Sequence, residues 1–350
     1  MKAVLTTNGW RQTDWSTYLP EASRLGMCLL NAEAADANVA AELQQAGVTW
    51  ARINAYWAYI ETRQGVYNAS EWNNLIKAVD TLVAHNIRPI VIIQTMPTWL
   101  TGATGTRPEV MVGTMTQAKA DAYAAFCKKV AQQFGNRVGA YELWNEANLS
   151  LFWAPIPSVS DYIWLATAGA NAIKAVDSSL VVISMGMGGA DVSHPIDMAV
   201  EKWAPAFFAQ NGHAAFDGIG VHSYNRVPGM LYSVQQVQSY MTAAGAMLPL
   251  WVTETGASAE NSGTVANTVT EAVQAQIVAQ TLTTLTSIAP QGGMVCFYQY
   301  KDIDPATNAD ATEQHFGVMH RFDGSDKPAL VAVRAVGAAE QFSHVTIKVA

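Results

Sequence analysis

The stretch that decides the fold is Tyr141-Glu-Leu-Trp-Asn-Glu-Ala-Asn148, a short apolar run that ends in Asn145 and Glu146. A carboxylate at the end of a buried strand is costly unless the chemistry of the protein requires it there. A second stretch of this kind is Leu250-Trp-Val-Thr-Glu-Thr-Gly256, in which β-branched and aromatic residues lead to Glu254. The two stretches predict two strands that end in glutamates and contribute to one site.

Strand-like and helix-like segments alternate along the rest of the chain. The predicted strands are residues 25–30, 48–54, 88–94, 141–146, 180–185, 217–224, 250–256 and 293–301, with a predicted helix after each. Eight strands separated by helices predict an α/β protein with a single-domain (β/α)8 TIM barrel. We expect residues 1–23 to be an irregular N-terminal segment, residues 24–342 to form the barrel, and residues 343–350 to be a tail or a short strand.

Composition and charge exclude several classes of partner. The net charge is −8, only 14% of the residues are charged, and Lys and Arg do not cluster, which argues against nucleic acid and anionic membranes. Neutral substrates fit better. Cys28, Cys127 and Cys296 lie in apolar runs and are predicted to be buried thiols. No spacing typical of a metal site occurs, so we expect no metal and no cofactor.

The sequence carries no predicted membrane anchor. No apolar run reaches the ~18 residues of a membrane span, and the run near Met1 is too short for a signal peptide. The sequence as it stands therefore predicts a cytoplasmic protein, or a secreted or periplasmic one if a leader has been removed. It leaves the oligomeric state open.

In a (β/α)8 barrel, the functional residues lie at the carboxyl ends of the strands. These ends carry Asn31, Arg52, Asn54, Gln94, Asn145, Glu146, Gly186, His222, Tyr224, Glu254 and the run from Tyr298 to Lys301. Trp57, Trp99 and Trp153 follow in loops on the same side and are candidates to stack on sugar rings, with plain packing as the alternative. Glu142 lies four residues before Glu146, so on a strand both side chains point to the same face. Glu142 is therefore a candidate for a structural ion pair with Arg52.

Several of these motifs resemble those of one group of enzymes. Trp144-Asn-Glu-Ala-Asn-Leu149 with Phe152-Trp153 behind it, Val221-His-Ser-Tyr224, Trp251-Val-Thr-Glu-Thr-Gly256 and Arg52 are similar to motifs of the retaining (β/α)8 glycoside hydrolases of clan A. The likeness is closest to family 39 and its relatives that hydrolyse bacterial exopolysaccharides, and it covers about residues 24 to 340.

The resemblance implies roles for individual residues. Glu146 would be the acid/base, and Asn145 would bind the 2-hydroxyl of the sugar. Glu254 would be the nucleophile, supported by Arg52, His222 and Tyr224. In two places the sequence departs from the pattern of the clan. Ala147 replaces the usual proline, and Phe297-Tyr-Gln-Tyr300 replaces a common tryptophan floor, which makes Tyr298 the candidate substrate contact on the last strand.

The chemistry of such a pair sets physical requirements. The carboxyl groups of a retaining pair lie ~5 to 5.5 Å apart. Glu254 must stay ionised, which Arg52 and Tyr224 would favour, whereas Glu146 must hold a proton near neutral pH, which burial and the charge of Glu254 would favour. We expect a retaining glycoside hydrolase that cleaves β-glycosidic bonds of a poly- or oligosaccharide by double displacement, endo-acting on an exopolysaccharide if the loops leave an open groove.

Alternatives remain open at this stage. Within the class they are an exo-acting β-xylosidase-like enzyme, an iduronidase-like enzyme, and a β-glucanase or mannanase. An iduronidase-like enzyme would require several basic residues around the pocket to bind a uronate, and the rim loops are poor in Lys and Arg. A catalytically silent carbohydrate-binding barrel is opposed by the presence of both glutamates. A barrel enzyme of metal or phosphate chemistry lacks a ligand cluster and a glycine-rich phosphate loop. The sugar and the mode of action depend on loops 95–115, 147–160, 225–232 and 257–266.

Overall fold

The computed structural model describes residues 3–6, 9–12, 24–189, 194–224, 227–260, 268–288, 293–308 and 310–343. The strands are β1 Ala3–Thr6, β2 Gly9–Gln12, β3 Leu25–Cys28, β4 Trp50–Tyr56, β5 Glu61–Arg63, β6 Val66–Tyr67, β7 Arg88–Gln94, β8 Ala140–Leu143, β9 Val182–Met187, β10 Gly218–Tyr224, β11 Leu250–Gly256 and β12 Val295–Phe297. The helices are α1 Asn31–Ala34, α2 Ala37–Gln45, α3 Trp57–Ile60, α4 Ala69–Ala84, α5 Thr98–Thr101, α6 Gln117–Phe134, α7 Val159–Val176, α8 Val200–Ala209, α9 Val227–Ala243, α10 Glu271–Ile288 and α11 Pro328–Ser343.

Eight of the strands form one closed parallel barrel. Their order around the barrel is β3, β4, β7, β8, β9, β10, β11 and β12, and β12 pairs with β3 to close it. Each barrel strand is buried on both faces, because side chains fill the inside of the barrel and helices cover its outside. Continuous apolar runs such as β7 are therefore expected. Six consecutive residues of β7, from Pro89 to Gln94, are buried. The predicted single-domain (β/α)8 barrel is confirmed.

The sequence predicts helix caps at Asn68, with Glu71 completing a capping box, and at Ser158. Ser158 caps α7 as predicted, because its hydroxyl accepts the N–H of Asp161. Asn68 caps α4 by accepting the N–H groups of Ser70 and Glu71. The reciprocal bond of a full capping box is not made, because the N–H of Asn68 donates to the carbonyl of Ile60 at 2.7 Å. The predicted helix starts are therefore correct, and the capping-box geometry at Asn68 is wrong.

Other differences lie at the two ends of the chain and in β12. Residues 1–23 were expected to be irregular, but β1 and β2 within them pair as antiparallel strands. Strand β12 is shorter than the predicted 293–301, because Gln299 leaves the sheet and donates its N–H to the carbonyl of Phe316. Residues 344–350, the predicted tail, lie outside the described part of the chain.

The helices and the cysteines have two further features that bear on membranes and disulfides. No helix in the described ranges is both long and apolar enough to cross a lipid bilayer. Cys28, Cys127 and Cys296 are all buried free thiols.

Candidate active site

Two glutamates face each other at the carboxyl end of the barrel. Glu146 follows β8 and Glu254 lies on β11, and each side chain is almost buried. One oxygen of each carboxylate and a ring nitrogen of His222 all lie within 4.8 Å of one another. The structure therefore brings the two predicted catalytic residues together, with His222 between them.

Arg52 on β4 joins this pair to the interior of the barrel. Its Nη1 lies 2.5 Å from Oε1 of Glu254, and its Nη2 donates to Oδ1 of Asn145 at 2.8 Å. The Nε of the same guanidinium donates to Oε2 of Glu142 at 2.6 Å. The planar fork of an arginine can bond in three directions in this way, which a lysine cannot do. Arg52 thus makes both the contact with Glu254 and the structural pairing with Glu142 that the sequence suggested.

Glu142 is a buried anchor for Arg52. Its side chain is fully buried, and its Oε1 accepts hydrogen bonds from the N–H of Gly186 and the hydroxyl of Thr253, both at 2.9 Å. A buried carboxylate is tolerated when its hydrogen-bonding capacity is satisfied and a cation lies beside it. Both oxygens of Glu142 are occupied, so this residue supports the site and does not face a substrate.

The position of His222 follows from an irregularity of β10. The register of β10 against β11 shifts between Val221 and His222, and His222 then pairs directly with Glu254. Such bulges re-aim side chains and are frequent beside active sites. As a result, Nδ1 of His222 lies 2.6 Å from Oε1 of Glu146 and 3.4 Å from Oε2 of Glu254.

Two glycines leave the room that these side chains need. A Cβ on Gly186 would lie 2.0 Å from Nε2 of His222, and a Cβ on Gly188 would lie 2.3 Å from Oε1 of Glu146. Both distances are far shorter than van der Waals contact, so any side chain at either position would displace a group of the site. Gly186 was noted in the sequence only as a strand end, and Gly188 was missed.

The surroundings of Glu254 keep it ionised. Burial alone would raise the pKa of Glu254, but the nearby His222, the guanidinium of Arg52 and the hydroxyl of Tyr224 outweigh it, so that the pKa is lowered. The Tyr224 hydroxyl donates a hydrogen bond to Oε2 of Glu254. Hydrogen bonds and cations favour the charged form of a carboxylate.

The surroundings of Glu146 act in the opposite direction. Burial raises the pKa of Glu146, and the negative charge of Glu254 raises it further, although His222 and Arg52 oppose both effects. The two glutamates therefore have pKa values shifted apart. A pair of titratable groups separated in this way is typical of one that divides acid and base roles.

The backbone that carries Glu146 is strained. Glu146 has a φ of 38° and Trp144 a φ of 75°, in the left-handed region that non-glycine residues rarely adopt. Trp144 is held there by its N–H, which donates to the carbonyl of Ile93, and by its indole N–H, which donates to the carbonyl of Phe152. Strain of this kind persists only where the surroundings enforce it, and it is concentrated at functional sites.

Comparisons with known proteins identify similar barrels. A family model described as "Glycosyl hydrolase catalytic core" matches residues 168–304, which include β9 to β12 with His222, Tyr224 and Glu254. The match covers the second half of the barrel, which is therefore similar to a glycosyl hydrolase catalytic core. No curated protein sequence matches the chain.

Solved structures that resemble this barrel include glycosidases of several families. A family 39 glycoside hydrolase from the gut symbiont Bacteroides cellulosilyticus WH2 has a TM-score of 0.69 and 21% identity, over 91% of this chain and 64% of its own. The exo-beta-1,4-mannosidase Op5Man5 from Opitutaceae bacterium strain TAV5 has a TM-score of 0.62 and 16% identity, over 92% and 60%. The GH1 beta-glucosidase from Exiguobacterium antarcticum B7 has a TM-score of 0.66 and 12% identity, over 93% and 99%.

Three tryptophans that were candidates for sugar stacking belong to the packing of the barrel instead. Trp57 is fully buried and stacks on Phe126, with ring centroids 5.6 Å apart. Trp153 is fully buried against Trp144. Trp99 is partly buried, its ring packs edge-on against Trp57, and its indole N–H donates to the carbonyl of Glu61. The stacking prediction is therefore wrong for Trp57 and Trp153, and Trp99 lines neither the cleft nor the cavity beside it.

Tyr298 lies in the cleft as expected. The cleft has a volume of about 840 Å3 and also contains Arg52, Asn145, Glu146, His222, Tyr224 and Glu254. The ring of Tyr298 packs edge-on against Tyr224 and Phe316, and its hydroxyl donates to Glu313 at 3.3 Å.

Several residues that line the cleft were not predicted as site residues. They are Tyr56, Phe152, Tyr232, Asp310, Glu313 and Phe316. Tyr56 was missed because β4 extends two residues beyond its predicted end. Glu313 and Phe316 come from the long connection after β12, where no periodic pattern in the sequence indicates which side chains face the cleft.

Glu146, His222 and Glu254 are also the one group of three possible metal ligands in the part of the chain that the structure describes. The guanidinium of Arg52, with its Nη1 2.5 Å from Oε1 of Glu254, already occupies one side of that carboxylate. A cation placed between the three groups would be repelled by this neighbouring positive charge. The arrangement suits acid–base chemistry better than metal binding.

Proposed function

We propose that the protein is a retaining β-glycosidase that works by double displacement, with Glu254 as nucleophile and Glu146 as general acid/base. The observation that carries this proposal is the approach of the two carboxylates, whose oxygens come within 4.8 Å of each other. Inverting enzymes separate their carboxyl groups by about 6.5 to 9.5 Å to make room for a water molecule, whereas retaining enzymes hold them at about 5 to 5.5 Å.

In the first step, a Glu254 oxygen bonds to the anomeric carbon while the bond from that carbon to the leaving oxygen breaks. The proton of Glu146 passes to the leaving oxygen, which departs as an alcohol. Arg52 and Tyr224 hold Glu254 in place and ionised before the attack. Arg52 also fixes the amide of Asn145, whose Nδ2 is then the group available to the 2-hydroxyl of the sugar.

In the second step, the roles of the glutamates change. Glu254 has become an ester and has lost its charge, so the repulsion that raised the pKa of Glu146 is gone. Glu146 then accepts a proton from a water molecule, whose oxygen bonds to the anomeric carbon and releases Glu254 as a carboxylate. Two displacements at one carbon return the β configuration.

The proposed substrate is an uncharged poly- or oligosaccharide, cleaved internally in an exopolysaccharide. The cleft supports an internal cut because exposed side chains of Leu30, Leu151 and Tyr232 extend along it. The carboxylate of Asp310 at its wall would repel a uronate. An exo-acting β-glucosidase or β-mannosidase is the second candidate, favoured by the names of two of the similar structures.

Azide rescue tests the assignment of Glu146. We expect Glu146→Ala to lose most activity on aryl β-glycosides with poor leaving groups and little on those with good ones. Azide should restore part of the rate and appear in the product as a β-glycosyl azide, because it needs no base to attack the intermediate. Asp121→Ala, on the exposed surface of α6, is the control. Full activity on activated substrates with no response to azide would contradict the role of Glu146.

A further inference from the structure

A second cavity lies beside the catalytic cleft. It has a volume of about 310 Å3 and is lined by Tyr56, Tyr59, Gln94, Thr95, Arg107, Glu109, Val110, Trp144 and Phe152. Ligand sites in proteins have volumes of about 300 to 1,000 Å3 and combine apolar or aromatic walls with a few polar groups. At the lower end of this range, the cavity has room for one small ring and not for a chain. We call it the side cavity.

The side cavity and the catalytic cleft are adjoining spaces. Tyr56, Gln94 and Phe152 line both of them. Phe152 belongs to the loop that follows Glu146, and Tyr56 ends β4, the strand that carries Arg52. A saccharide bound across the two glutamates can therefore continue into the side cavity without leaving the protein surface.

Strained backbone is concentrated around the side cavity. Among the described residues, six non-glycine residues have positive φ, and three of them, Thr95, Arg107 and Trp144, line this cavity. A fourth is the catalytic Glu146. Thr95 is β-branched, and its φ of 68° is especially unfavourable for such a residue. Strain of this kind clusters at active sites and ligand clamps.

The walls of the side cavity are tied to each other before any ligand binds. The N–H of Ala154 donates to the carbonyl of Val110 at 2.9 Å, and the N–H of Gly113 donates to the carbonyl of Ala154 at 3.1 Å. The N–H of Met96 donates to the carbonyl of Glu109 at 2.8 Å. The loop that carries Arg107 is thereby clamped to the loop that follows Glu146. A preorganised wall loses less entropy when a ligand binds.

The charges and rings of the side cavity indicate the kind of ligand. Nε of Arg107 lies 3.7 Å from Oε1 of Glu109, so the two charges offset each other. The Arg107 guanidinium also lies over the ring of Phe152, at 5.6 Å. Tyr59 is 47% exposed and packs against Tyr56, which leaves an aromatic surface free. Aromatic faces with a neutral set of hydrogen-bonding groups suit an uncharged pyranose.

We propose that the side cavity is a distal subsite that binds one uncharged sugar unit of the saccharide whose bond is cleaved between Glu146 and Glu254. This inference rests on the proposed function, because it assumes a saccharide in the cleft. Tyr59 and Phe152 provide the surfaces on which the sugar ring packs, and Arg107 and Glu109 bond its hydroxyl groups. The subsite increases the affinity for long substrates relative to short ones and does not contact the reacting atoms.

Binding to a variant without turnover tests the subsite separately from catalysis. We would titrate Glu254→Gln with neutral β-linked oligosaccharides of one to six units in the gluco, manno, xylo and galacto series, using calorimetry. The same titrations are made with Glu254→Gln/Tyr59→Ala and Glu254→Gln/Phe322→Ala. Phe322 is the matched control because it is equally exposed, at 46%, and lies outside both cavities.

The proposal predicts that, in one series, affinity for the longest oligosaccharides exceeds affinity for the short ones by about 10-fold or more. Tyr59→Ala should remove this gain in affinity, and Phe322→Ala should retain it. Monosaccharide binding should change by less than about 2-fold in both variants. Loss of affinity at all lengths alike, no loss at any length, or no binding by any series would overturn the subsite. Turnover that survives in Glu254→Gln would instead overturn the proposed function and leave the binding result standing.

Discussion

At the scale of single residues, Arg52 connects Glu254, the proposed nucleophile, to Glu142, the buried carboxylate that anchors the guanidinium. Three of its nitrogens bond three different side chains, Glu142, Glu254 and Asn145. Two of these partners are buried carboxylates, so the guanidinium keeps two negative charges compatible with the barrel interior. Removing it would affect stability and catalysis together.

The stability effect can be measured with Arg52→Met. Removing one partner of a buried ion pair costs about 3 to 5 kcal/mol, because the other charge stays buried without compensation. We expect the free energy of unfolding, measured with urea, to fall by that amount. Arg137→Met is the control, because its partner Asp80 is exposed, and such surface pairs contribute about 0 to 1 kcal/mol. Equal losses in the two variants would contradict the assigned role of Arg52.

The hydroxyl of Tyr224 has a separate effect that can be isolated by Tyr224→Phe. A hydrogen bond to a charged group contributes about 1.5 to 3 kcal/mol, so we expect kcat/KM to fall about 10- to 100-fold. Since this bond favours ionised Glu254, its removal raises the pKa of Glu254, and the acid limb of the pH profile moves to higher pH. Kinetics across the acid range measure both effects.

The control for Tyr224→Phe is Tyr300→Phe. The hydroxyl of Tyr300 also donates to a glutamate, Glu42, at 2.9 Å, but both residues lie outside the cleft. The control should keep the wild-type acid limb. An acid limb that stays in place in Tyr224→Phe would show that Tyr224 does not control the ionisation of Glu254.

At the scale of elements, the end of β9 determines where the acid/base can lie. Gly188 follows this strand, and a methyl group there would collide with the carboxylate of Glu146. We expect Gly188→Ala to lower kcat/KM about 100-fold, because misplacing a catalytic group by about 1 Å costs that much. Gly189→Ala is the neighbouring control, since its added methyl would meet no atom within 4 Å. Similar kinetics in the two variants would show that Glu146 is not constrained by β9.

The barrel strands were predictable because their pattern is local. Strands β7 and β11 have the predicted bounds, since runs buried on both faces consist almost entirely of apolar residues between polar or turn residues. Glu146, Glu254, Arg52, His222 and Tyr224 were predictable for the same reason, because polar residues at the ends of such runs are conspicuous. The roles of these residues in catalysis remain proposals.

What the sequence did not predict depends on distant contacts. The wall that carries Glu313 and Phe316 is held by Lys327, whose Nζ bonds Asp302 and the carbonyl of His315. Nothing in the order of residues indicates that a lysine at the start of α11 supports the cleft. In the same way, the sequence predicts rim loops for Trp57 and Trp153. Trp57 instead begins α3 and packs against Phe126 of α6, and Trp153 packs against Tyr162 of α7, so both rings are buried.

At the scale of the whole molecule, the charges of the site set the pH range of activity. In the proposed mechanism, activity requires ionised Glu254 and protonated Glu146. Because the pKa of Glu254 is lowered, activity is lost only at low pH, as Glu254 becomes protonated. Because burial raises the pKa of Glu146, activity persists above the usual range of a glutamic acid and is lost as pH rises through that raised pKa.

This predicts a bell-shaped profile of kcat/KM, measured from about pH 3 to pH 9, wide enough to cover the usual pKa range of carboxyl and imidazole groups. In Glu146→Ala, assayed on a substrate with a good leaving group, the basic limb should disappear and the acid limb should remain. A basic limb that persists in this variant would belong to another group, and His222 is the nearest candidate.

The most direct test of the central claim is the configuration of the first product. Wild type and Glu254→Gln are incubated with a panel of aryl β-glycosides and microbial polysaccharides, and the released sugar is followed by proton NMR before mutarotation. The two-glutamate account predicts that wild type releases the β-anomer first and that Glu254→Gln releases no sugar. An α-anomer released first, or turnover that survives in Glu254→Gln, would contradict the assignment of Glu254 as the nucleophile of a retaining enzyme.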